Sequence, residues 1–335
     1  MKKILALVLA LVMVFSLCAC GKSAKASDKI KVGMVTDVGG VNDKSFNQTS
    51  WEGLQALAAE DSSFEVSYLE SKTDADYQTN INTFLDEGTD LIICVGYMLA
   101  DATKEAATAN PDQKFAIIDD SSIDLPNVAC LMFAQEQASY LVGIVAGSVT
   151  ESKTVGYIQG MVSDSMNLFG IGYIAGVKSV CPDAEVIQYN ANSFVDIAGG
   201  SAAATDMITK GADVIYHAAG GTGVGAINTC DEQGIWAIGV DTDQSPLAPD
   251  HVITSAMKRV DTASQDISKA VKDGSFTGGV HLYDLSNGGV DLAPTRDHIP
   301  ADVLAVVEAA KADIIAGKLT VPQNAADVPE FTLDD

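Results

Sequence analysis

The run Gly221-Thr222-Gly223-Val224-Gly225-Ala226 fits G-x-G-x-x-A, and Asp241 follows 20 positions after Gly221. In a dinucleotide-binding turn that spacing lets glycines admit a pyrophosphate to a helix N-terminus while the acid holds a ribose hydroxyl. A glycine turn of this kind equally suits close backbone approach to any polar ligand. Asp119-Asp120 invites an acid/base reading, but neighbours on a strand point to opposite faces, so one at most reaches a given cleft. His217, His251, His281 and His298 lack metal spacing, and neither H-E-x-x-H nor G-x-S-x-G occurs. His217, beside the glycine turn, is either a ligand contact or a hydrogen-bonded structural histidine. Phe46 and Phe194 stand in polar strand-to-helix connections of a chain with only 6% aromatic residues. At such positions a phenylalanine stacks on a planar ligand or staples its helix.

With 45 acidic against 20 basic residues, the 335-residue chain carries a formal net charge of -25, which repels nucleic-acid phosphates and anionic membranes alike. A hydrophobic content of 47% excludes disorder as the dominant state, and the length suits about two domains. Lys2 and Lys3 precede the apolar run from Ile4 to Phe15, which is too short to span a bilayer and has the form of an export signal. It closes on Leu17-Cys18-Ala19-Cys20-Gly21, which resembles a bacterial lipobox. Residues 1–19 are therefore expected to be a lipoprotein signal peptide, Cys20 the lipidated residue bearing palmitate, and residues 20–29 a flexible tether. Acyl anchoring takes about two chains, and a lipobox supplies them where charge cannot. Export also weakens the dinucleotide reading, because a dissociable cytoplasmic cofactor is scarce outside the cell. Cys94, Cys130, Cys181 and Cys230 show no C-x-x-C spacing, so no zinc or redox motif follows, and nothing favours a disulfide.

These residues are spaced along an alternation of short β-branched runs and helical segments, the pattern of parallel βαβ units. Strands are expected at 31–36, 64–69, 90–95, 115–119, 128–133, 154–159, 185–189, 213–217, 236–241, 252–257 and 280–285. Helices include 46–60, 77–87, 135–149, 166–180 and 197–210. The fold class is α/β, with two doubly wound parallel-sheet lobes joined by three crossovers near 132–135, 255–259 and 285–290. The N-terminal lobe then takes residues 30–132 plus about 259–285, and the C-terminal lobe 133–258 plus about 286–335. In such sheets a ligand lies beyond the carboxyl ends of the strands, where the turns after Thr36, His217 and Asp241 fall.

At those turns the chain resembles the basic membrane protein family of substrate-binding lipoproteins, which includes purine nucleoside-binding lipoproteins serving ABC transporters. The similar stretches are Thr36–Gly53 with its D-K-S-F-N-Q core, Gln135–Gly147, Val155–Gly176, Asp213–Gly225, Ala237–Gln244 and Thr254–Asp261. One departure is Gln159-Gly160-Met161-Val162-Ser163, where the family often shows Gly-Gly-Met followed by proline. The resemblance implies a type I periplasmic-binding-protein fold that binds a nucleoside, with a purine expected, and has neither catalysis nor a cofactor. It further implies an ABC permease partner and a monomer lipid-anchored on the extracytoplasmic side of the cell membrane. Transferred by motif, Asp37 and Phe46 line the base side and Phe194 is the opposing aromatic. Asn47 and one of Asp119 or Asp120 bond the base, while Gly220, Asp241 and Lys258 hold the ribose hydroxyls. Lobe closure is expected to bring Asp241 and Lys258 together around the sugar. The competing classes are an exported nucleoside hydrolase, a dinucleotide-dependent enzyme and a ligand-sensing lipoprotein.

Overall fold

The computed structural model describes residues 29–333, so the signal peptide, Cys20 and the tether up to Asp28 lie outside the described residues. The first sheet is built from β1 (Ile30–Val35), β2 (Phe64–Leu69), β3 (Leu91–Cys94), β4 (Lys114–Ile118), β5 (Val128–Phe133) and the late β11 (Gly279–Tyr283). Its order is β11-β5-β4-β3-β1-β2, and every pairing in it is parallel. The second sheet repeats the plan with β6 (Thr154–Gln159), β7 (Glu185–Asn190), β8 (Val214–Ala218), β9 (Trp236–Asp241), β10 (Val252–Lys258) and β12 (Val290–Leu292), in the order β12-β10-β9-β8-β6-β7. β12 was not legible in the sequence. It is three residues long and runs antiparallel to β10, so one edge of the second sheet departs from the parallel rule.

Among the described residues nine α-helices fill the crossovers: α1 (Phe46–Glu60), α2 (Ala75–Asp86), α3 (Ala100–Ala109), α4 (Gln135–Val149), α5 (Asp164–Val180), α6 (Ile197–Thr209), α7 (Gly220–Gln233), α8 (Val260–Asp273) and α9 (Ala301–Ile315). The central strands are apolar on both faces because helices cover both, as the wholly buried Leu91–Cys94 illustrates. In α8 the buried residues Val260, Ala263, Ser264, Ile267, Ser268 and Val271 recur at helical spacing, and Gly274 ends the helix in the left-handed conformation at φ 72°. α5 starts two residues earlier than its apolar pattern suggests, since Ser163 accepts the Met166 N–H at 3.2 Å as its cap. α4 and α5 approach backbone to backbone: a Cβ on Gly172 would lie 2.2 Å from the Glu136 carbonyl oxygen.

Three segments pass between the sheets. Ala134 N–H donates to the Tyr283 carbonyl at 2.8 Å and Arg259 N–H to the Gly289 carbonyl at 2.9 Å, so the crossings are bonded into one hinge. α8 packs on α1 of the first lobe, and α4 on α5 of the second. Cys94, Cys130, Cys181 and Cys230 are free thiols, and burial pushes Cys94 up to about 12.

Candidate functional site

Residues that follow β1, β3 and β4 face residues at the carboxyl ends of β8, β9 and β10 across one cleft, with about 520 Å³ of space between protein atoms, its open mouth included. This is the carboxyl edge of both sheets, at the switch points where β1 and β6 each pair with strands on either side.

On the N-terminal wall the loop after β1 is held by its own side chains. Asp43 accepts backbone N–H bonds from Ser45 at 2.9 Å, Asn47 at 2.8 Å and Gln48 at 3.1 Å, so it caps α1 from two residues further out than the helix boundary. Asn47 donates to Asp43 at 2.9 Å and to Asp37 Oδ1 at 2.7 Å, and it accepts from the Asp37 N–H at 3.2 Å. Both amide hydrogens of Asn47 are therefore committed within the wall, one to Asp37 and one to Asp43, although the residue lines the cleft. Burial raises Asp37 to about 7 against the opposing Asn47 bond. Phe46 opens α1 at this wall, with its ring edge against the backbone of Gly96.

Asp119 directly follows β4 and Asp241 ends β9, the fourth strand of each lobe. Both take the left-handed conformation, at φ 67° and 65°, which turns their carboxylates into the cleft. Such backbone is uncommon outside glycine and concentrates at functional sites. Asp119 is 7% exposed; its Oδ2 is ion-paired to Lys258 from the opposite lobe, and its Oδ1 is buried without a partner among the described residues. Asp241 accepts from the Ser45 hydroxyl, again across the cleft. Burial raises Asp241 to about 6, with the Lys258 charge opposing the rise. Thus Lys258 takes Asp119 as its ion-pair partner, whereas the expected effect of lobe closure is to bring it together with Asp241. The Lys258 ammonium also lies 4.9, 5.2 and 5.4 Å from the ring centres of Phe46, Phe133 and Phe169.

Asp120 is not in the cleft. Its carboxylate turns outward to the Ser122 N–H at 2.9 Å and hydroxyl at 2.7 Å, just past the left-handed turn at Asp119. Phe194 and Gly220 line the C-terminal wall, and Gly220 has φ 52°. The glycine fingerprint has a different use. A Cβ at Gly223 would fall 1.9 Å from the His217 ring, and one at Gly225 would fall 2.0 Å from the Ile197 carbonyl, so the space a pyrophosphate would take is filled by protein. His217 bonds Gln244 at 3.0 Å, and burial lowers it to about 4, which makes it a neutral structural histidine beneath α7. Among the described residues no group of three or more His, Cys, Asp or Glu could hold a metal ion.

Asp43, Gly96, Tyr97, Met166 and Phe169 also line the cleft and were not singled out from the sequence. Gly96 and Tyr97 follow β3 at the same strand edge, a signal that topology offered. Phe169 lies inside an apolar helix and had no signal.

Two doubly wound lobes, three crossovers and a cleft at the strand carboxyl ends define a type I periplasmic-binding-protein fold. A solute-binding protein of an ABC transporter system from Aeropyrum pernix superposes with a TM-score of 0.81 at 28% identity, covering 89% of this chain and 95% of that one. The family model described as ABC transporter substrate-binding protein PnrA-like matches residues 30–325, and the chain belongs to that family. It is 40% identical to the ABC transporter nucleoside-binding protein BmpA of Lactococcus lactis, with 91% of this chain and 92% of the relative aligned. It is equally 40% identical to the CD4+ T-cell-stimulating antigen of Listeria monocytogenes over 91% and 94%. Basic membrane protein A of Borreliella burgdorferi is 34% identical over 99% and 98%. Among the described residues no helix is long and apolar enough to cross a membrane.

Proposed function

We propose that the protein is the membrane-tethered receptor of an ABC importer, anchored through Cys20, that closes its two lobes on a nucleoside and hands it unchanged to a permease. The observation that carries this reading is the pair of left-handed strand-end carboxylates, Asp119 and Asp241, facing each other with Lys258 in a cleft walled by phenylalanines. A nucleoside joins a flat base to a polyol, and the cleft offers surfaces for both. Phe46 and Phe194 flank the base, while the unpartnered oxygen of Asp119 and the Asn47-oriented Asp37 accept its N–H groups. A purine suits this arrangement, having ring or exocyclic N–H donors at its edge. Asp241, Lys258 and the turn at Gly220 hold the hydroxyls, which both donate and accept. The name of the Lactococcus relative supports the ligand class.

Capture without chemistry is supported by membership in a family described as substrate-binding proteins. His217 is neutral and turned away from the cleft, so no imidazole base stands beside a nucleophile there. A hydrolase would release free base, whereas a receptor returns intact nucleoside at one per chain; incubation with inosine, guanosine and adenosine followed by mass spectrometry distinguishes the two. Asp241→Asn removes the charge that accepts from the sugar, with an expected loss of about 1.5–3 kcal/mol for a ribonucleoside and little change for the free base. Equal losses for both, by titration calorimetry, would reduce Asp241 to an interlobe strut.

A further inference from the structure

We infer that Gln244 is a positioning residue that clasps the closed cleft, acting through the backbone that carries Phe46 rather than through the ligand. Gln244 is 2% exposed and does not line the cleft. Its side-chain oxygen accepts from the Val240 N–H at 2.9 Å and lies 3.0 Å from His217 Nε2. Because the Val240 amide can only donate, the atom facing it is Oε1, which fixes the orientation of the carboxamide. Nε2 then points across the cleft and donates to the Lys44 carbonyl of the N-terminal lobe at 2.9 Å. Its main chain is pinned as well, with the Gln244 N–H on Ser255 Oγ at 3.1 Å.

The receiving side is equally specific. Lys44 is a non-glycine residue at φ 58°, a conformation that turns its carbonyl toward the C-terminal lobe. The next residue, Ser45, donates to Asp241 of that lobe, and the one after it is Phe46. Two bonds on adjacent residues thus join the lobes and set the entry of α1. A carboxamide is the side chain suited to this task, since it must accept two C-lobe donors and offer a donor to a carbonyl. When the cleft opens, water takes over both ends of the Gln244–Lys44 bond, so the clasp contributes the net value of one hydrogen bond to the closed form. That value corresponds to about a 2- to 12-fold change in the opening equilibrium.

The ligand arm of the test rests on the nucleoside reading; a second arm does not. Gln244→Glu keeps acceptors for Val240 and His217 but places an acceptor opposite the Lys44 carbonyl, and Gln244→Met removes the cross-lobe bond without adding charge. In stopped-flow release of inosine, both variants are expected to dissociate about 2- to 12-fold faster than wild type, with association rates unchanged. A wild-type dissociation rate in a variant that melts normally overturns the clasp, as does a lowered melting temperature with no change in release. If none of inosine, guanosine and adenosine binds the wild-type protein, the receptor reading fails on its own. Small-angle scattering then decides the clasp: a larger radius of gyration in both variants supports it, and equal radii overturn it.

Discussion

The two lobes place the same device at the same point, an aspartate turned left-handed at the end of the fourth strand, and then surround it differently. Asp119 sits beside a wall locked by its own hydrogen bonds, where Asp37, Asp43 and Asn47 satisfy one another before any ligand arrives. Asp241 sits beside a wall more open to solvent, where Phe194 is carried on a connection whose neighbours Val195 and Ile197 are 54% and 51% exposed. The difference teaches how each wall is held. The N-terminal wall is buried and satisfied by its own side chains, whereas the C-terminal wall presents its aromatic on an exposed connection tied back through Ser193 and Thr222.

The largest effect that can break this comparison is expected from Asp119→Ala, which leaves the Lys258 ammonium buried without its partner. Removing one member of a buried pair costs about 3–5 kcal/mol, so calorimetry should show nucleoside binding lost by two orders of magnitude or more, and melting lowered. A small loss would mean that Lys258 is repaired by Asp241, making the two carboxylates interchangeable. Next comes Phe46→Ala. Base–aromatic stacking contributes about 1–3 kcal/mol, so affinity should fall roughly 5- to 150-fold, while a mere helix staple would lower melting and spare affinity. Phe194→Ala, on the more exposed wall, is expected to lose less than Phe46→Ala; the reverse ranking would invert the comparison of the two walls.

A smaller and subtler effect concerns pH. Asp37 is raised from the ordinary carboxylate value to about 7 by burial, so the folded chain keeps a proton that the unfolded chain has already lost. The neutral form favours the fold, and its contribution is complete below about pH 4 and declines as pH rises to about 7. Wild type should therefore melt lower at about pH 8 than at about pH 5, and the isosteric Asp37→Asn should flatten that slope. An unchanged slope would show that Asp37 is not the group responsible. The smallest effect is expected from Val195→Ser, within about 0.5 kcal/mol in both affinity and stability, because the side chain is exposed beside the cleft and does not line it.

Hydrophobic periodicity was enough to locate most strands and helices, because a parallel strand covered on both faces must be apolar throughout, as Leu91–Cys94 is, and an amphipathic helix must repeat as α8 does. Local chemistry also marked the strand-end turns that carry Asp37, Phe46, Gly220 and Asp241, all of which line the cleft. Three-residue β12 escaped, since so short a segment has no period to read. Sequence alone could not choose between Asp119 and Asp120, or between a cofactor turn and a packing turn at Gly221–Gly225. Those choices depend on a backbone dihedral at one strand end and on a histidine ring pressed against Gly223. Nor could it pair Lys258 with Asp119, 139 positions away, or bring Gln244 to the Lys44 carbonyl. Composition and period act over a few residues and so determine elements, whereas ion pairs and cross-lobe bonds depend on distances that exist only once the two lobes have packed.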